Sequence, residues 1–156
     1  MTRPLRGGRY ANGANKNFIK IITEKLHFYD FGEAHNFYGQ LPDAGLSPND
    51  IALLGCNDRY FLLTALCRRP DAIHPWIYER TRQVEVEPDG YLDLWARYHF
   101  KSSIITFAGT IQEILCDPEI RIAIFSNTKD IARPFVAQIK EELEGNEQLI
   151  NLYPDV

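Results

Sequence analysis

Lys101-Ser102-Ser103 is the stretch of this sequence whose residue types suit phosphate chemistry best. A lysine ammonium can meet the outer phosphates of a nucleotide as a point charge, and a neighbouring hydroxyl oxygen can hold the accompanying magnesium. The pair is most effective where a strand turns into a helix, because the helix N-terminus adds free N–H groups and the positive end of its dipole. That setting is expected here: Tyr91 to Trp95 reads as a short buried strand after the turn Pro88-Asp89-Gly90. Lys101 then opens a helix that carries Ile104, Ile105, Phe107, Ile111, Ile114 and Leu115. Between them, Arg97 offers a planar fork that suits phosphate oxygens, or simply makes a surface ion pair. His99 either lines the pocket or is a plain loop histidine. The regular pattern GxxxxGK[ST] is not met, since Trp95 and Phe100 stand where glycines are wanted.

Other residues have two readings each. Ser126-Asn127-Thr128 would end a second strand at the edge where ligands gather in parallel sheets, although helix capping by Thr128 explains them as well. Trp76 and Tyr78 are able to stack on a base, yet an aromatic pair on a helix is more commonly core. Arg3, Arg6, Arg9, Lys16, Lys20 and Lys25 make the first stretch basic, while Glu141, Glu142, Glu144 and Glu147 crowd the far end. The basic arm either holds phosphate or is a solvated terminus.

These residues need elements to position them. The chain has 156 residues, 45% hydrophobic and 24% charged, which is ordinary for one globular domain, and its net charge of -4 does not decide for or against nucleic acid. Residues 1–14 read as a flexible arm, followed by a helix with Phe18, Ile19, Ile22 and Leu26 on one face. Asp30 to Gly45 carries no assignable pattern. Ser47-Pro48-Asn49-Asp50 is a helix start, with an interruption expected between Gly55 and Asp58. His74-Pro75 opens another helix, which fades before Pro88. From Gly90 the expected order is strand, loop, helix, a second strand at Arg121 to Phe125, and a helix toward Gly145 with Pro134 inside it. Such a βαβα unit implies a parallel sheet. Cys56, Cys67 and Cys116 form no CxxC pair and read as reduced structural thiols. No stretch approaches the roughly 20 apolar residues of a spanning helix, so an intracellular, soluble protein is expected.

The segment Leu94-Trp95-Ala96-Arg97-Tyr98-His99-Phe100-Lys101-Ser102-Ser103 resembles the glycine-poor P-loop of the large terminase subunits of tailed bacteriophages. Those proteins are ATP-driven motors that pump DNA into viral heads. The resemblance extends over roughly residues 50 to 156, through His74-Pro75-Trp76 with Arg80, Pro88-Asp89-Gly90, Ile124-Phe125-Ser126-Asn127-Thr128 and Leu152-Tyr153-Pro154-Asp155. It implies that Lys101 meets the β- and γ-phosphates of ATP, that Ser102 holds Mg2+, and that Ser103 and His99 complete the nucleotide site. Arg97 would be the catalytic arginine at the γ-phosphate. Implied partners are double-stranded DNA, the portal protein and the small terminase subunit, with ring assembly by the full-length subunit in the host cytoplasm.

On this reading the chain divides into a basic arm and helix (1–46), a helical region (47–89) and the first part of a P-loop ATPase domain (90–156). The fold class expected is α/β, an incomplete P-loop NTPase-type sheet behind a helical region. The family's hydrophobic strand ending in Asp-Glu does not occur after the loop, and its nuclease domain is missing. Little or no ATP turnover is therefore expected from this chain alone. The alternatives are a non-hydrolysing phosphate- or nucleotide-binding module and a structural interaction protein.

Overall fold

The structure, a computed structural model, describes residues 4–86, 95, 96 and 99–156. Helix α1 (Lys16–Glu24) starts on the Asn15 side chain, which accepts from the N–H groups of Asn17 and Phe18. Phe18 and Ile22 are buried, with Leu26 just beyond the helix, so the apolar spacing does define the inward face. Helix α2 (Phe31–Gln40) fills the segment without a legible pattern. A capping box begins it: Asp30 accepts from the Glu33 N–H while the Glu33 carboxylate accepts from the Asp30 N–H.

Helix α3 (Pro48–Asn57) starts as its residues dictate, with Ser47 as cap, Pro48 in the first turn and Asp50 returning the capping bond. It breaks at Asp58. The short α4 (Arg59–Phe61) runs into a π-helical turn, Leu62–Leu66. Helix α5 (Pro75–Val86) follows His74. A second π-helical turn, Ser102–Ala108, leads into α6 (Gly109–Cys116), and then come α7 (Lys129–Gly145) and α8 (Glu147–Leu152). No helix among the described residues is long and apolar enough to cross a membrane.

The expected α/β fold with a βαβα parallel sheet is not what forms. Among the described residues every regular element is helical, and the fold is all-α. Arg121 to Phe125, expected as the second strand, is irregular backbone, and Phe125 is 91% exposed. Trp95 is not in a strand either, while Tyr91 to Leu94 and the turn Pro88-Asp89-Gly90 lie outside the described residues. A strand needs a neighbour to satisfy its N–H and C=O groups, so β-propensity in one short apolar run does not make a sheet. Ile124 alone of that run packs against the core.

Leucines of α3 and the first π-helical turn meet Ile104, Ile111 and Leu115 and close around Tyr153. The Tyr153 hydroxyl donates to the Ala52 carbonyl at 2.8 Å. Each fully buried leucine or isoleucine contributes about 1.5–3 kcal/mol by leaving water. The arm expected to be flexible is folded onto this core from Leu5 onward. Tyr10 is buried, stands edge-on against Tyr153 at 5.2 Å and donates to the Leu115 carbonyl. Arg6 pairs with Glu113 at 2.6 Å, and Arg9 donates to the Cys116 carbonyl at 2.8 Å. Two of the arm's cations are thus engaged with the fold; Arg3 lies outside the described residues.

Candidate phosphate-binding site

Phe100 has a φ of 60°, a left-handed backbone that glycine adopts freely and that costs a bulky residue about 1–3 kcal/mol. The glycine that a regular phosphate loop wants at this position is therefore absent as a side chain but present as a backbone shape. Lys101 follows and begins the helical run into α6. The Ile104 N–H donates to the Phe100 carbonyl at 2.9 Å, and the Gly109 N–H reaches back five residues to Ile104. A π-helical turn of this kind is uncommon and is found frequently at functional sites.

Lys101, Ser102 and Ser103 line a cavity of about 600 Å3 together with His99, Phe100 and Trp95 from the preceding loop and with Arg69 and Asp71. That volume suits a nucleotide-sized ligand. Lys101, Ser102 and His99 are exposed, so the cavity opens to solvent. Arg69 and Asp71 face each other as a fork, Nε to Oδ1 at 3.0 Å and Nη2 to Oδ2 at 2.8 Å. The hydrogen bond between them raises the Arg69 pKa and lowers that of Asp71, so both stay charged at neutral pH. Both belong to the turn Pro70–Ala72 or its cap.

Aromatic rings set the loop against α5. Trp76 stands edge-on to Trp95 at 5.3 Å and to His99 at 5.7 Å, and the Arg80 guanidinium lies 5.0 Å from the centre of the Trp95 ring. The Trp95 Nε1 is buried without a hydrogen-bond partner among the described residues, an arrangement usually avoided. A second cavity of about 370 Å3, lined by His74, Trp76, Ile77, His99 and Phe100, shares two residues with the first.

Of the residues singled out in the sequence, His99, Lys101, Ser102 and Ser103 are thus brought together, although not at the carboxyl edge of a parallel sheet. Arg97 and Tyr98 lie outside the described residues. Ser126, Asn127 and Thr128 are exposed and do not line this cavity; Thr128 holds the capping position of α7 without a side-chain hydrogen bond. Tyr78 is a core residue whose hydroxyl donates to the Tyr29 carbonyl at 2.7 Å, whereas Trp76 is half-exposed beside His99. Sequence reasoning missed Arg69 and Asp71, because Arg-Pro-Asp carries no motif and only the turn brings it to the lysine. The hydroxyls of Ser102 and Ser103 and the Asp71 carboxylate are hard oxygen donors, which fit the magnesium of a nucleotide. Among the described residues, no group of three or more His, Cys, Asp or Glu side chains is placed to hold a metal.

Fold and site together define, among the described residues, a helical fold with a nucleotide-sized open cavity at the start of a helical run. No protein-family model, no curated protein and no solved structure matches this chain.

Proposed function

We propose that this chain grips the phosphates of ATP in the cavity at Lys101, as the leading part of a DNA-packaging motor like the phage terminase large subunits that its sequence resembles. The observation that carries the phosphate reading is left-handed Phe100 followed by Lys101-Ser102-Ser103, all lining one open cavity. The Lys101 ammonium meets the β- and γ-phosphates, Ser102 turns its hydroxyl to the metal, and Ser103 and His99 close the pocket. Arg97 is the γ-phosphate arginine in this reading. Arg69 adds a second cation, and Asp71 favours a nucleotide that arrives with its cation over one without. Bound Mg2+ supplies charge neutralisation at the phosphate oxygens. Double-stranded DNA, the portal protein and the small terminase subunit are the partners that go with it, in the host cytoplasm.

Titration with a fluorescent ATP analogue, with and without magnesium, tests this. Saturable binding that weakens roughly tenfold in Lys101→Ala is expected, the loss of one charge-assisted contact. Absence of saturable binding in both conditions would leave the second reading, a helical interaction module. The all-helical fold of the described residues favours that alternative, since a phosphate loop ordinarily stands at the end of a strand. Complex formation with portal and small-subunit proteins would then be measured directly.

A further inference from the structure

Away from that cavity, two of the three cysteines meet where α3 packs on α6. The Cys116 thiol donates to the Cys56 carbonyl oxygen at 3.6 Å, which brings the two cysteines side by side across the helix contact. They are unequal. Cys56 is fully buried, and the turn at Gly7 sits so close above it that a Cβ there would come within 2.6 Å of its Sγ. Cys116, the last residue of α6, is partly exposed. Arg9 donates to its carbonyl, and Arg6 lies near enough to favour its thiolate. Cys67, buried elsewhere in the core, has no second cysteine beside it, and burial together with Glu142 pushes its thiol up against the pull of Arg69.

We propose that Cys56 and Cys116 form a redox couple, with Cys116 as the sulfur that a peroxide oxidises and Cys56 as the sulfur that resolves it into a disulfide. Cys116 is held below the usual thiol range, chiefly by the neighbouring Cys56 thiol and also by Arg6 and Arg9, which outweigh the opposing effects of burial and of Glu113. Its thiolate attacks a peroxide oxygen, the O–O bond breaks, and hydroxide leaves to give a sulfenic acid. The Cys56 sulfur then attacks the sulfenyl sulfur, the S–O bond breaks, and a second hydroxide leaves. With the two thiol protons, one hydrogen peroxide becomes two waters while two thiols become one disulfide. The link would span 60 residues and fasten the C-terminal end of α6 to α3. A loop of that length closed in the unfolded chain favours the folded state. The inference is independent of the phosphate reading, which involves the opposite end of the same helical run.

The experiment uses the full chain, reduced and then exposed to a modest excess of hydrogen peroxide. The expected product has lost two hydrogens in mass, retains one titratable thiol, and yields on digestion a disulfide-joined pair of peptides holding Cys56 and Cys116. Its thermal unfolding midpoint should rise by several degrees and return on reduction. Cys67→Ser should behave as the parent, while Cys56→Ser should stop at oxygen addition on Cys116. Retention of all three thiols would overturn the proposal, as would a disulfide that involves Cys67. So would oxygen addition without mass loss in the parent chain.

Discussion

Arg82 and Asp58 form an ion pair at 2.8 Å with both side chains sealed from solvent, where α5 crosses the break between α3 and α4. Its members are not alone. Asp58 also accepts from the Tyr38 hydroxyl at 2.5 Å and caps α4 at the Phe61 N–H, and Arg82 reaches Glu85 at 3.3 Å. Glu85 in turn accepts from the Arg59 N–H and from Gln112, which ties α6 into the same group. Burial alone would weaken the Arg82 guanidinium's hold on its proton, yet Asp58, helped by Tyr38 and Glu85, raises its pKa well above the usual value. The network costs desolvation and returns it only while every partner is present.

Truncating one member should therefore be far worse than removing a surface charge. Arg82→Ala is expected to lower stability by about 3–5 kcal/mol, since it takes the shared guanidinium away from two buried carboxylates. Equilibrium urea unfolding measures this; a loss under about 1 kcal/mol, typical of an exposed pair, would contradict the burial argument.

Asp50 makes a pH prediction. Burial works against its ionisation, but hydrogen bonds from the Ser47 hydroxyl, the Ser47 N–H and the Asn15 N–H prevail and lower its pKa. A carboxyl with a depressed folded pKa adds stability above its unfolded pKa, and that contribution is lost as pH falls through the folded value. Asp50→Asn should cost about 1 kcal/mol at pH 7 and little near pH 2. Equal loss at both pH values would show that charge is not what the cap uses.

At Gly55 the core leaves no room for a methyl group. An added Cβ would collide with the Tyr153 hydroxyl and lie 2.9 Å from Leu66 Cδ1. Gly55→Ala should destabilise by about 1–3 kcal/mol despite the better helix propensity of alanine. In a Tyr153→Phe background the penalty should shrink, because one of the two clashing groups is gone. Thermal melts of the parent and the three variants decide it, and a stabilising Gly55→Ala would rule out this packing.

Asn146 joins α7, α8 and the core. Its Oδ1 accepts from the N–H groups of Gln148 and Leu149 to cap α8, while its Nδ2 donates to the Leu66 carbonyl at 2.8 Å. Asn146→Ala should cost about 2–3 kcal/mol, a lost cap together with a buried carbonyl left unsatisfied. Asn146→Ser keeps the cap alone and should recover only part. Full recovery by serine in chemical denaturation would mean that the Leu66 bond adds nothing.

Local chemistry made most of the helices legible in the sequence, because caps and apolar faces are set by residues within a turn or two of one another. Ser47-Pro48 and Asp50 determine the start of α3, His74-Pro75 that of α5, and the spacing of Phe18, Ile22 and Leu26 the buried face of α1. Even α2 was written there, in Asp30 and Glu33, although the aromatic and glycine residues around them obscured it. Lys101, Ser102, Ser103 and His99 were likewise visible as a phosphate-suited group, by residue type and spacing. Only the tertiary structure decided the rest. Arg121 to Phe125 has a strand's composition, but pairing depends on a neighbour that sequence cannot place, and the described fold gives it none. Arg69 and Asp71, the contact of Cys56 with Cys116, and the sealing of Arg82 against Asp58 all join residues remote in sequence from their partners or from the site they complete. Nothing in a local window encodes such meetings; they follow from how the helices bury their apolar faces together.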